Sequence, residues 1–228
     1  MAIINLTQAI ARSGRCSRRK AEGLIRAGQV KVNGQAAVLG AKIDPAEDQI
    51  TVAGQPLGSA GKKVYYLVNK PIGYVCTVSD VHASKRVVDL VPKIPKVWPV
   101  GRLDKDSRGL IILTNDGDLT YRLTHPKFEH EKEYLVTLDK EIMSALLLGL
   151  KRGIKLEEGI AKVDNIKKTS PIKISLVIHQ GWKRQIRRMV QACGYKVADL
   201  IRIRIGKTKL GDIRNGEYRE MKSSNFSA

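Results

Sequence analysis

Acidic side chains are scarce in this chain: 22 Asp and Glu stand against 41 Lys and Arg in 228 residues, a formal charge of +19 at pH 7. Such an excess costs stability by self-repulsion and is kept where the partner is a polyanion. RNA, DNA and an anionic membrane surface all qualify, and charge alone does not choose among them. Cysteine is scarcer still. Cys16, Cys76 and Cys193 lie far apart and form no CxxC pair, which speaks against a zinc site and a disulfide framework and fits a reducing cytosol. No apolar run approaches the roughly 20 residues that cross a bilayer; Ala145 to Leu148 is among the longest. The first apolar stretch is broken by Arg12, Ser13, Gly14 and Arg15, unlike a signal peptide. Also missing are a P-loop, a Gly-rich dinucleotide fingerprint and metal-ligand spacing. The expectation is a cytoplasmic monomer without membrane association, metal or cofactor. Apolar residues at 43% suffice for a packed core.

Residues from about 3 to 57 form one small unit. Asn5 or Thr7 is placed to cap a short helix through Ile10, and Ser13-Gly14 makes a turn. Ser17 caps a second helix over 18–27, ended by Gly28. Its Ala21, Leu24 and Ile25 share a stripe, with Arg18, Arg19, Lys20 and Arg26 largely off it. Asn33-Gly34 predicts a hairpin, and 49–52 a further strand. Gly54, Pro56, Gly58, Ser59, Ala60 and Gly61 form a linker. From Val64 onward, VYYLVN, LIILTN, YLVTL, KISLVIH and KVADLIRIRIG predict strands, with helices over 140–151 and 183–192. The fold class is α+β with a mixed or antiparallel sheet. The expected domains are 1–58 and 62–228, with a frayed tail after Met221.

The cations Arg18, Arg19, Lys20 and Arg26 can lie along a phosphate backbone and give salt-dependent, sequence-tolerant affinity. The segment SRRKAEGLIRAGQVKVNGQ resembles the S4 RNA-binding domain of the α-L type. That resemblance implies RNA rather than DNA.

VGRLDKDSRGLIILTNDGDL is the most informative stretch. By itself it offers an acidic residue at the mouth of a strand beside Arg102, held ionised and aimed into a cleft. The plainer alternative makes Asp104 and Asp106 loop carboxylates paired with Arg102 or Arg108. Asn115-Asp116-Gly117 is a turn. The stretch closely resembles the GRLDxxxxGLxxLTNDG signature of the S4-containing ribosomal RNA pseudouridine synthases (the RsuA group), every fixed position of which is met from Gly101 to Gly117. The resemblance runs from about Tyr66 to Met221. It implies that Asp104 is the catalytic aspartate and that Arg102 fills the space left by a flipped uridine.

HEKEYLVTLDK supplies Lys132 and Tyr134. A tyrosine at a strand start is usually a packing residue; the resemblance makes Tyr134 the residue that stacks on the target base. In IHQGWKRQIRRMVQACGY, Arg184, Arg187 and Arg188 fall at i, i+3 and i+4 on one face, with Lys183 beside them. Like charges so close repel unless anions or carboxylates sit among them. The resemblance assigns Arg187 to an ion pair with Asp104, leaves Lys132, Lys183, Arg184 and Arg188 for RNA, and suggests Leu176 and Ile178 for the uracil pocket. Arg202, Arg204, Lys207 and Lys209 give either RNA-backbone contact or edge protection.

The implied reaction breaks the uracil N1–ribose bond and rejoins the base through C5. Asp104 would add to C1′, promote glycal formation or add to the base. The implied partner is 23S ribosomal RNA, from likeness to the F-type large-subunit synthases, with 16S RNA or a tRNA anticodon-arm uridine as alternatives. A catalytically inactive RNA-binding assembly factor and a helix-turn-helix DNA-binding regulator are the readings from other classes.

Overall fold

The computed structural model describes residues 3–58, 61–78 and 83–226. The chain divides into two compact units: Met1–Lys63 with Ile94–Lys96 and Asn115–Gly117, and the remainder.

In the first unit, β1 (Ile4–Asn5) leads into α1 (Leu6–Arg12) and α2 (Arg18–Arg26). Ser17 caps α2 by accepting from the Lys20 amide at 3.2 Å, as its residue type predicts. β2 (Val30–Val32), β3 (Gln35–Ala36), β5 (Ile50–Val52) and β6 (Gln55–Pro56) form a sheet in the order β3-β2-β5-β6, while β4 (Lys42–Ile43) pairs with β1. Asn33 and Gly34 both adopt positive φ (50° and 81°), as a tight hairpin with matching twist requires. Leu6, Ile10, Ala21, Ile25, Val30, Ile43 and Val52 close a small core. This leaves Arg18, Arg19, Lys20 and Arg26 exposed.

The second unit is a nine-stranded mixed sheet. Its strands are β7 (Tyr65–Lys70), β8 (Trp98–Val100), β9 (Arg108–Thr114), β10 (Lys132–Leu138), β13 (Asn165–Ser170), β14 (Lys173–Ile178), β15 (Val197–Ile205), β16 (Thr208–Lys209) and β17 (Tyr218–Met221). The main path is β13-β14-β10-β15-β9-β7-β17, with β8 on β9 and β16 on β15. All pairings are antiparallel except β15 with β9. Helices α3 (Gly117–Thr124), α4 (Ser144–Arg152) and α5 (Gln185–Ala192) and a hairpin of β11 (Ile154–Leu156) and β12 (Gly159–Ala161) complete it. Every residue of β7 is buried, so both of its faces are covered. One core, with Val136, Leu146, Ile174 and Met189, lies under α4 and α5. Ile111 and Leu113 face a second, and Leu110 and Ile112 a third.

Three expectations change. Helix α3 follows the Asn-Asp-Gly turn, where Leu119 and Leu123 at i, i+4 dock on the sheet. The helix expected over 140–151 starts at Ser144, because the Ile142 amide donates to the Pro171 carbonyl at 2.8 Å. The tail is ordered as far as it is described: Ser223–Phe226 forms a 3-10 turn, and buried Phe226 packs on Tyr65 with ring centroids 5.5 Å apart, while residues 227–228 lie outside the described residues. Ser59 and Ala60 of the expected linker lie outside the described residues.

The parallel joint explains one glycine of the signature. Gly109 has φ +106°, and a Cβ there would stand 2.4 Å from the Arg202 carbonyl oxygen and 2.7 Å from its amide nitrogen. Any side chain must part β9 from β15 or strain the backbone. Gly109→Ala is expected to cost at least about 2 kcal/mol, measured as a lowered denaturant midpoint. An unchanged midpoint would show that the joint yields freely.

Candidate active site

The loop between β8 and β9 is pinned at several points. The Leu103 amide donates to the Cys76 sulfur at 3.3 Å, the Gly73 amide to the Lys105 carbonyl at 2.8 Å, and the Ser107 amide to the Asp104 carbonyl at 3.1 Å. Leu103 and Ser107 are buried, which leaves half-buried Asp104 between two anchors. Its side chain lines a cavity of about 920 Å³ that Arg102, Lys132, Tyr134, Ile178 and Arg202 also border. A shallower groove of about 450 Å³ shares Asp104, Lys105, Lys183 and Arg184 with it.

The two carboxylates of the loop differ in what they touch. Asp106 accepts a two-pronged pair from Arg184 (2.9 and 2.8 Å) and lies 3.4 Å from the Arg187 Nε. Those bonds hold its carboxyl below the usual range. Arg108, the other suggested partner, is paired with Asp199. Among the described residues, no hydrogen bond or ion pair engages the carboxylate of Asp104. Of the two loop carboxylates, Asp106 is held by arginines and Asp104 has no side-chain partner among the described residues.

The expected Arg187–Asp104 ion pair is not formed. Arg187 donates instead to the Asp106 carbonyl at 2.8 Å and the Val197 carbonyl at 3.3 Å, and lies beside Asp106 Oδ2. The reason is the turn closed by Ser107, which carries Asp106 toward the start of α5. There Arg184 sits in the left-handed conformation (φ 50°) and reaches the same carboxylate. Arg188 pairs with Glu158 at 2.7 Å. The three clustered arginines are thus interleaved with carboxylates, and only Lys183 of that segment is exposed without such a partner among the described residues.

Lys132 is likewise no free cation. Its Nζ donates to the carbonyls of His130 (3.0 Å) and His179 (2.8 Å), clamping the starts of two segments of cavity wall. Burial pushes it down to about 8. Tyr134, two residues on, is buried in the wall and registers with Arg202 across β10 and β15. Leu176, suggested for the pocket, is buried in the core instead, while Ile178 does reach the cavity.

Two functional candidates escaped the sequence. Arg202, grouped there with surface cations, is 3% exposed because β15 is a central strand rather than an edge. Its Nε donates to the Leu110 carbonyl at 2.8 Å and its Nη1 to the Arg102 carbonyl at 3.3 Å, and its Nη2 is buried without a partner. Arg204 is paired with Glu131 and Glu133. Lys70, in NKPIGYVCT, is 0% exposed and donates to the carbonyls of Pro71 (2.9 Å) and Tyr74 (2.8 Å), bracing the turn that holds the Asp104 loop. A lysine that closes an apolar strand gives no periodicity signal of burial, and neither does an arginine in an alternating one.

Burial pushes Lys70 from 10.5 down to about 8, against the pull of Asp106 and Asp104. Between those values the unfolded chain still holds a proton that the folded chain has released, so stability rises with pH across the window. Below about pH 8 the fold carries the full cost, up to roughly 3 kcal/mol. Unfolding free energy is expected to rise from about pH 8 toward 10.5, and because Lys132 is depressed over the same range, Lys70→Met should lose about half of that slope. Equal slopes would trace the gain to general charge relief.

The unpaired Asp104, Tyr134 and the buried Arg202 thus border one cavity. Residues 64–192 match the model of the RNA pseudouridylate synthases, and residues 6–50 that of the S4 domain; the chain belongs to the RNA pseudouridylate synthase family, in the group that carries an S4 domain. It is 40% identical over 220 residues to the dual-specificity RNA pseudouridine synthase RluF of Escherichia coli K12, covering 96% of this chain and 75% of that one. It is 40% identical over 226 residues to the ribosomal large subunit pseudouridine synthase B of Bacillus subtilis, covering 95% and 91%. A solved pseudouridylate synthase superposes with a TM-score of 0.70 at 30% identity over 98% of both chains. Among the described residues, no helix is long and apolar enough to cross a membrane.

Proposed function

We propose that this enzyme converts a uridine of 23S ribosomal RNA to pseudouridine, with Asp104 as its catalytic carboxylate. The observation that carries the assignment is the contrast between Asp106, tied up by two arginines, and Asp104, unpaired on the wall of a cavity large enough for a nucleoside. A base inside a helical stack cannot reach such a cavity, so the uridine enters everted or from a loop. Tyr134 stacks on the uracil, and exposed Arg102 takes the place the base leaves in the RNA. Arg187 acts as a positioning residue, through Asp106 and Ser107, rather than on the nucleoside. The reaction moves the ribose bond from N1 to C5, exchanging a proton between the same atoms, and needs no external oxidant or reductant. The name of the Bacillus subtilis relative favours the large subunit.

In a strain lacking this protein, carbodiimide mapping of 23S RNA is expected to show one uridine unmodified, restored by the purified enzyme. Restoration in 16S RNA alone would refute the choice of RNA, and restoration nowhere would refute the activity. The dual specificity named for the Escherichia coli relative supports a second reading, in which a uridine of a second RNA is modified as well.

We further propose that residues 1–58 bind the RNA backbone and residues 62–228 carry the chemistry. Arg18, Arg19, Lys20 and Arg26 are exposed, and none has an ion-pair partner among the described residues. Changing all four to Gln is expected to flatten the slope of log affinity against log salt by about 3. An unaltered slope would place the phosphate contacts elsewhere.

A further inference from the structure

Exposed aromatic rings are costly, and this chain has few to spend: two Phe, two Trp and seven Tyr. One phenylalanine, Phe226, is buried. The other, Phe128, is 39% exposed, beside Tyr121 at 49%. They belong to a ladder of rings outside every hydrophobic core. Tyr121 stands 4.8 Å from His125 and 5.9 Å from Phe128 between centroids, and Phe128 stands 6.1 Å from His130. The Lys127 ammonium lies over two of these rings, 5.1 Å from Tyr121 and 4.8 Å from Phe128.

The ladder is held by the backbone. Tyr121 sits on α3, and Lys127 and Phe128 on the 3-10 turn Pro126–Phe128 that follows it. The His125 Nδ1 accepts from the Lys127 amide at 3.3 Å, and Glu129 ends the turn in the left-handed conformation (φ 47°). At its inner end, His125 and His130 belong to the wall of the Asp104 cavity. The His130 carbonyl is fixed there by Lys132. The rings therefore run outward from the cavity rim along one side.

We infer that this ladder is a stacking platform for an unpaired nucleobase, the strand neighbour of the uridine held at Asp104. The inference rests on the functional reading above. Three observations favour a base of the RNA over a protein partner. The rings continue the wall of the cavity that takes the nucleoside. An ammonium at their face meets the phosphate linking two nucleotides. The chain as a whole is strongly cationic. A nucleotide next to an everted one has lost a stacking neighbour, and aromatic rings with an adjacent cation replace it without reading its sequence.

The test uses the full-length protein and the Tyr121→Ala/Phe128→Ala double variant. The probe is a synthetic RNA hairpin with one uridine in its loop and 2-aminopurine at its 5′ or 3′ neighbour. Wild type is expected to quench the 2-aminopurine at one of the two positions. The double variant should lose the quench and bind about tenfold more weakly, the size of one base–ring stack, with an unchanged unfolding temperature. Tyr121→Phe, which keeps the ring, should retain both. Absence of quenching at either position, the same quench in the double variant, or a dimer broken by the double substitution would overturn the platform. Pseudouridine formation on ribosomal RNA is scored separately, so an inactive wild type that still quenches would sink the functional reading and spare the platform.

Discussion

Replacing Asp104 with asparagine is expected to lower pseudouridine formation about 10⁴-fold or more while RNA binding stays within a few-fold of wild type. The substitution keeps size and shape and removes only the charge and basicity, and an essential carboxylate lost in this way costs on that scale. Asp104 makes no side-chain bond among the described residues, so the fold has little to lose. Asp106→Asn is the informative control. It breaks a two-pronged Arg184 pair and the contact with Arg187, so it should lower stability by about 1–2 kcal/mol and slow turnover through a looser loop. Tritium release from [5-³H]uridine-labelled RNA measures both. Near-normal release by the Asp104 variant, or complete loss in the Asp106 variant alone, would reverse the roles of the two carboxylates.

Arg202→Lys is expected to lower kcat about 100-fold with little change in KM. The guanidinium joins the Leu110 carbonyl on β9 to the Arg102 carbonyl, two residues before Asp104. An ammonium carries charge to the same place but cannot hold both carbonyls in the fixed fork of a guanidinium. The loop then shifts by a fraction of an ångström to an ångström, enough to cost two orders of magnitude at a reacting centre. Single-turnover kinetics at saturating RNA, alongside unfolding by denaturant, separates positioning from collapse. A kcat within threefold of wild type in a stably folded variant would show that Arg202 only fills space. An Arg202→Leu variant, which takes a donor from the buried Leu110 carbonyl and from the partly buried Arg102 carbonyl, should in addition lose about 2–3 kcal/mol of stability.

The helices, hairpin and strands were legible where the signal is local. Ser17 before a periodic run, Asn33-Gly34 between short apolar stretches, and Ala21 and Ile25 at i, i+4 each fix their outcome within a few residues. The same holds for the loop carboxylate: a contiguous signature fixed which aspartate to examine. What failed was pairing over distance. The resemblance implies an Arg187–Asp104 pair, yet Arg187 lies against Asp106, and the carboxylates beside Arg184 and Arg188 come from Asp106 and Glu158, distant in sequence.

Composition, cap residues and the stretch from Gly101 to Gly117 determined the chain's class and its two-part plan and singled out Asp104 as the carboxylate to test, because those properties are written in neighbouring residues. The tertiary structure alone decided which cations are free. Burial and partnership of a charge depend on strands far apart in sequence. Arg202 is buried because β15 lies between β9 and β10, and Lys70 because its strand is covered on both faces. No local pattern encodes which strand becomes the middle of a sheet, since that is settled by the sum of all the pairings at once.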